Sequence, residues 1–274
     1  AVRGEVWFTA LILGVTFQLL FFRWAWQLRR PLLAGLAYAC AFSTRASLIT
    51  LGLFAYLQLF STGGKYKFDE RLRRLGVFTI PPLIIGLSLL YYNHVRFERW
   101  YEFGHSYLAG GQLKRIAEYG LFHPIFLQKN LIAAFALLPS LSLSPLLFTY
   151  SWHGMALQFS SPHLLMSLFP NLSAKGPKIK SRESMRLGLG VVSLSTLGLL
   201  LFYQNTGWVQ YSWRFALDFI PAVTLFIATT AQAKGKLYKS LTLWGVFINM
   251  GGAIIFGRSS VWWVGVNLPQ LLPH

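Results

Sequence analysis

Apolar runs of bilayer length recur through this chain, and no other feature restricts its fold as much. A hydrocarbon core about 30 Å thick takes roughly 20 apolar residues per spanning helix. The sequence offers such runs, or shorter ones, from Val6 to Phe256. It is 54% hydrophobic and 12% charged, about half the charge of an ordinary soluble domain. A polytopic, all-α membrane protein follows. A net charge of +17 would raise nucleic acid as a partner. Here the basic residues stand in short clusters between apolar runs, so membrane topology accounts for them and nucleic acid is excluded. Cys40 is the lone cysteine, so no intrachain disulfide can form.

Eight membrane helices are expected, at about 6–22, 32–43, 46–60, 75–92, 155–169, 187–203, 215–230 and 241–256, in a single membrane domain covering 1–274. Leu32–Phe60 is interrupted by Ser43-Thr44-Arg45. One helix of that length would measure roughly 44 Å, so two half-length helices meeting at Thr44 fit better. That choice also places Arg23, Arg29 and Arg30 on the same side as Lys65–Arg74, Lys175–Arg186 and Lys234–Lys239, the bias the positive-inside tendency favours. Residues 93–154 carry no clean span. Short helices lying on the outer surface are expected there, with Ser140–Pro145 an interfacial loop.

The polar groups with chemical potential all fall on the outer side in this topology. Tyr91–Gly111, YYNHVRFERWYEFGHSYLAGG, packs Arg96, Glu98, Arg99 and Glu102 among Trp100, Tyr101, Phe103 and Tyr107. Helical spacing would set Arg96, Arg99 and Glu102 near one face. They would form a phosphate clamp with an adjacent acid, or a self-paired solvated surface. Arg45 stands where a helix capped by Thr44 would aim its N-terminus outward, which suits a phosphate; an arginine snorkelling from a bend is the alternative. Arg214 and Asp218 are four apart and read as an intrahelical ion pair, with Asp218 able to orient Arg214. Tyr211, Trp100 and Tyr107 are candidate sugar or lipid contacts. The histidines show no HxxxH or HExxH spacing, so no protein-built metal site is expected. A divalent cation held by carboxylates and a phosphate is compatible with the sequence. Leu187–Gly190 and Gly251-Gly252 suit close helix packing. Asn171-Leu172-Ser173 fits a glycosylation pattern but falls on the inner side.

With those residues in view, the chain resembles the GT-C class of polytopic glycosyltransferases. It is most similar to bacterial membrane proteins related to the dolichyl-phosphate-mannose–protein mannosyltransferases. LLAGLAYACAFSTRASLI (Leu32–Ile49), YYNHVRFERWYEFGHSYLAG (Tyr91–Gly110), HGMALQFSSPHLL (His153–Leu165), GWVQYSWRFALDFIP (Gly207–Pro221) and VFINMGGAI (Val246–Ile254) carry the resemblance in order. It implies a polyprenyl-phosphate-linked sugar donor, an acceptor on the extracytoplasmic face and an inverting displacement. Arg45, Arg96, Arg99 and Arg214 would then bind the donor phosphate, and Glu102 and Asp218 would position substrate or those arginines, with either a candidate catalytic carboxylate. The class usually carries its essential carboxylate on the first outer loop, and this sequence is expected to begin downstream of it; Glu5 is not matched to that acid. Two positions depart from the pattern: Ala46 follows Arg45 where proline is usual, and Phe215 follows Arg214 where tyrosine is common. A lipid-phosphate transporter or flippase, or a noncatalytic membrane scaffold, would use the same arginines without chemistry.

Overall fold

Val6–Ala25 is one unbroken helix, α1. Its apolar residues lie on every face, the pattern of a helix surrounded by lipid or protein. The computed structural model describes residues 6–60, 66–107, 111–144, 146–170, 179–257 and 263–266. After α1, Gln27 and Leu28 take positive φ, which reverses the chain, and Pro31 opens α2 (Pro31–Thr44) at the first helical position, where its missing N–H costs nothing. Arg45 is extended (φ −148°, ψ 113°). The chain then turns back through a 3-10 stretch (Ala46–Leu51), α3 (Gly52–Leu57) and a last 3-10 turn (Gln58–Phe60). Gln58 Oε1 accepts from the Gln27 amide at 3.1 Å, so both feet of this hairpin meet at one level with Arg45 at its apex.

Phe68–Phe97 forms α4, 30 residues with Pro81 and Pro82 inside. Pro82 has no N–H to offer the Phe78 carbonyl. α2 exploits that freed oxygen: Gly35 lies against Phe78 O and Pro81, and a Cβ there would collide with the oxygen. Small residues permit this approach in a membrane, where packing holds helices together rather than exclusion of water. Gly35→Ala is therefore expected to lower the thermal midpoint in detergent by the equivalent of about 1–3 kcal/mol. Gly76→Ala, on the same helix with open space around it, gains the roughly 0.5–1 kcal/mol of reduced backbone entropy. Equal responses of the two variants would refute this close contact.

The remaining elements are α5 (Gly111–Tyr119), α6 (Phe126–Leu131), strands β1 (Ser140–Leu143) and β2 (Leu146–Ser151), α7 (Leu157–Ser160), α8 (Ile179–Leu201), α9 (Ile220–Ala228), α10 (Lys236–Ile255) and strand β3 (Trp263–Val266). The fold is mostly helical. Phe8–Leu28, Phe68–Phe97 and Arg182–Leu201 are each long and apolar enough to cross a membrane. Phe21, Phe22, Tyr38, Phe54 and Phe78 interlock between α1, α2, α3 and α4, with Leu189 and Val192 of α8 closing the cluster. Tyr38 stacks on Phe78 and Phe22 meets Phe54 edge-on, geometries that favour aromatic pairs beyond their buried area.

Three expectations are corrected. Where an interfacial loop is expected at Ser140–Pro145, β1 pairs with β2 as an antiparallel hairpin, and β3 adds to β2 in parallel. Alternating Ser-Leu-Ser-Leu and the β-prone Leu-Leu-Phe-Thr-Tyr-Ser favour strands. Residues 155–169 do not make one helix: Pro162 opens a separate 3-10 turn (Pro162–Ser167) after α7. Residues 215–230 likewise divide into a 3-10 turn, Arg214–Asp218, and α9. The Asn171–Ser173 pattern and Glu5 lie outside the described residues.

Arginines close the helix ends on the basic side. Arg74 donates to Leu28 O and Arg29 O, Arg71 to Leu59 O, and Arg186 to Thr229 O at the end of α9. Each meets carbonyls that a helix C-terminus leaves without intrahelical donors, at its negative dipole end.

Candidate functional site

The break at Arg45 and the 3-10 turn Arg214–Asp218 face each other. Arg45 Nε lies 2.5 Å from Asp218 Oδ1 and its Nη2 lies 2.7 Å from Oδ2. Ser47 Oγ donates to Oδ2 at 2.5 Å. Asp218 is 1% exposed and the Arg45 side chain 16%. The bidentate grip expected for a phosphate is thus closed on the protein's own carboxylate. Thr44 is not the expected cap, because its hydroxyl donates back to Ala41 O. The expected Arg214–Asp218 intrahelical pair is replaced as well. A 3-10 turn repeats every three residues, so positions four apart diverge, and Asp218 turns to Arg45 instead.

Arg214 still joins this group through Phe215. The Arg45 guanidinium lies 5.5 Å and the Arg214 guanidinium 5.7 Å from the Phe215 ring centroid, within cation–π range. Gln210, 3% exposed, fixes the turn: its Nε2 donates to His153 O and Thr206 O, and its Oε1 accepts from the Arg214 amide. Gly207 at φ +86° lets the loop pass the Gln210 amide, which any Cβ would strike.

Beside this turn lies a cavity of about 470 Å³. Phe8 and Leu11 of α1, Leu217, Ile220, Ala253 and Phe256 give it apolar walls, while Arg214, His163 and Asn249 contribute polar groups. Tyr211 forms part of the wall rather than projecting to the surface. Its hydroxyl donates to Ile248 O at 2.6 Å, and its ring rests on Gly252. Burial, with nearby Tyr150, pushes that phenol's pKa up.

The Arg96–Glu102 group stands apart from these residues. α4 ends at Phe97 because Glu98 adopts the left-handed conformation (φ 57°), so Arg96, Arg99 and Glu102 share no helical face. Arg96 covers the Phe97 ring at 4.9 Å. Glu102 accepts from Ser106 Oγ at 2.5 Å and Ser106 N at 3.3 Å, and these bonds, aided by the amides of Gly104 and His105, hold its carboxyl below the usual range. Arg45 passes close to Gly14, midway along α1, where an added Cβ would meet its side chain, which sets the Arg45–Asp218 pair near the middle of that helix. α2 and α4 run in the same direction past Gly35 and Phe78. Helical rise then puts Arg96 about 11 Å further along than Arg45. Of the polar groups expected on the outer side, Arg45, Asp218 and Arg214 come together, and Arg96, Arg99 and Glu102 stand apart from them.

Lys129 and Asn130 carry no local signature, and the sequence does not reveal their role. Lys129 Nζ donates to Gln204 O at 2.7 Å, and Asn130 Nδ2 donates to Leu201 O and Tyr203 O; together they cap the C-terminal end of α8. Burial, then the nearby Arg115 charge, pushes the Lys129 pKa down to about 8. The unfolded chain therefore holds more protons above that value, so this lysine's contribution is full above its unfolded pKa of roughly 10.4 and is lost as the pH falls through 8. Lys129→Met is expected to flatten the rise in thermal midpoint between pH 7.5 and 9.5. An unchanged slope would contradict the assignment.

Among the described residues no three His, Cys, Asp or Glu side chains gather as metal ligands. No protein-family model matches the chain, and neither a curated protein nor a solved structure matches it significantly. Fold and site define the class this far: a mostly helical chain with three helices long and apolar enough to cross a membrane, and an internal ion pair beside a mainly apolar cavity.

Proposed function

We propose that this chain is the membrane part of a transferase that moves a sugar from a polyprenyl-phosphate carrier to an acceptor on the extracytoplasmic face. The mainly apolar cavity with Arg214 at its polar edge is the observation that carries the reading. Apolar walls suit the first isoprene units, and a guanidinium suits the phosphate. In the expected topology the cavity and Arg214 lie in the outer half of the bilayer. As the sugar–phosphate bond breaks, negative charge grows on the departing phosphate, and a fixed Arg214 stabilises it. Arg45 supports that geometry from behind, through Asp218, instead of gripping the substrate. The base that takes the acceptor's proton is assigned to a carboxylate outside this group. The test is transfer from a radiolabelled polyprenyl-phosphate hexose by the full-length protein in vesicles. Labelled product supports the reading, and its absence across hexose donors with carrier still bound would overturn it.

A second reading has one observation in its favour. The Arg45–Asp218 pair sits near mid-span, where two helices are broken, as in transporters with discontinuous helices. Movement of the labelled lipid between leaflets without new product would select it.

A further inference from the structure

The last turn of α4 and residues 98–107 build a structure that the cavity chemistry does not use. Asn93, 4% exposed, donates its Nδ2 to Trp100 O at 3.3 Å. The left-handed Glu98 reverses the chain, so the loop folds back over the helix that precedes it. Trp100 then lies parallel on His94, with ring centroids 4.5 Å apart and an interplanar angle of 0°. Tyr107 stacks on Phe97 at 5.1 Å and 22°. His94 and Phe97 are one helical turn apart, so the two stacked pairs sit side by side. Each upper ring is held from below and remains open: Trp100 is 47% exposed and Tyr107 67%.

Rings held flat with open faces differ from an ordinary aromatic belt, whose rings are free to sink among acyl chains. The surroundings here are polar as well: Arg96, Glu98 and Arg99 are exposed, and Glu102 is fixed by Ser106. Helical rise sets His94 about 29 Å beyond Leu75, the first apolar residue after the basic turn of α4, at the outer edge of a 30 Å hydrocarbon core. A ligand for this surface needs a flat C–H face for the negative π-face of the indole and hydroxyls around its rim for a carboxylate and guanidinium groups. A pyranose ring has both.

We propose that Trp100 on His94, flanked by Tyr107 on Phe97 and by Glu102, is a pyranose-binding platform at the outer membrane surface. Binding there stands on the ring geometry alone; only its place as the acceptor's site rests on the transferase reading. Glu102 accepts from ring hydroxyls, and the indole takes the axial C–H face. The platform's distance from Arg214 along the membrane normal separates acceptor recognition from donor phosphate binding.

Saturation-transfer NMR on the full-length protein in phosphatidylcholine nanodiscs tests this, with the methyl glycosides of glucose, galactose and mannose as probes. At least one glycoside is expected to take saturation on one ring face. Trp100→Ala should weaken it about tenfold, the order of one aromatic stack, while Trp100→Phe keeps part. No saturation above empty nanodiscs, or saturation unchanged in both Trp100→Ala and Tyr107→Ala, would overturn the platform. So would a loss of acyl-chain quenching on Trp100→Phe, which would place the indole in lipid. Retained glycoside binding alongside failed polyprenyl-phosphate transfer would sink the transferase reading and leave the platform standing.

Discussion

Asp218→Ala is expected to remove about 3–5 kcal/mol of stability, because it strands the Arg45 guanidinium in a low-dielectric interior. The figure is at the high end for a single substitution. Asp218 gives both oxygens to Arg45 and one also to Ser47. The Arg45 side chain is only 16% exposed, so the abandoned charge must distort its surroundings or draw solvent inward. The double variant Arg45→Met/Asp218→Leu removes both charges while keeping their volume. It should melt near the native temperature or above it, as replaced buried ion pairs do. Thermal unfolding in detergent, read for both variants, decides the point. A native midpoint for Asp218→Ala would show that the pair holds nothing together. If the double variant folds and still transfers sugar, the pair is scaffold; if it folds and is inactive, the pair positions Arg214.

Much of the helical frame was legible in the sequence, because apolar runs and basic clusters obey local rules. Ser43-Thr44-Arg45 interrupts a run too long for one helix, and α2 ends at Thr44. What failed were inferences about partners. Arg45 and Asp218 are separated by 173 positions, and no local pattern reports such a pairing. Arg214 and Asp218 were paired on α-helical spacing, whereas proximity to Pro221 and the knit to Gln210 leave that segment as a 3-10 turn. The Arg96–Glu102 face failed for a similar reason. A left-handed Glu98 ends α4 without the glycine that normally announces such a cap. The strands were missed because each is short and β3 lies more than a hundred residues from β2; alternation over four residues is weak beside a helical background.

These failures matter for the site because they reassign its charges. Of four arginines read as phosphate ligands, Arg45 is committed to Asp218, while Arg96 and Arg99 stand on the exposed loop side of α4. Arg214 alone borders the cavity. A distributed clamp becomes one guanidinium, oriented by a buried glutamine and a backing ion pair, and that concentrates the expected effect of mutation on a single residue.

On the transferase reading, Arg214→Gln should therefore lower kcat for sugar transfer by about 10²–10³-fold, the range for losing one preorganised donor to a developing oxyanion. KM should change less, since the stabilising contact strengthens as the bond to phosphate breaks. Arg214→Lys keeps the charge but loses the planar fork that can hold two phosphate oxygens, so partial recovery is expected. Stability supplies the control: Arg214 is half-buried on a cavity wall, and Gln210 holds the turn through the backbone amide of residue 214, which every substitution except proline preserves. Thermal midpoints of Arg214→Gln and Arg214→Lys, read beside turnover, therefore separate a binding role from a structural one. Turnover unchanged in Arg214→Gln would remove the cavity's only assigned phosphate ligand and with it the chemical reading of the site. A collapse in thermal midpoint that parallels the loss of activity, and is the same in Arg214→Lys, would recast Arg214 as a strut and not a ligand.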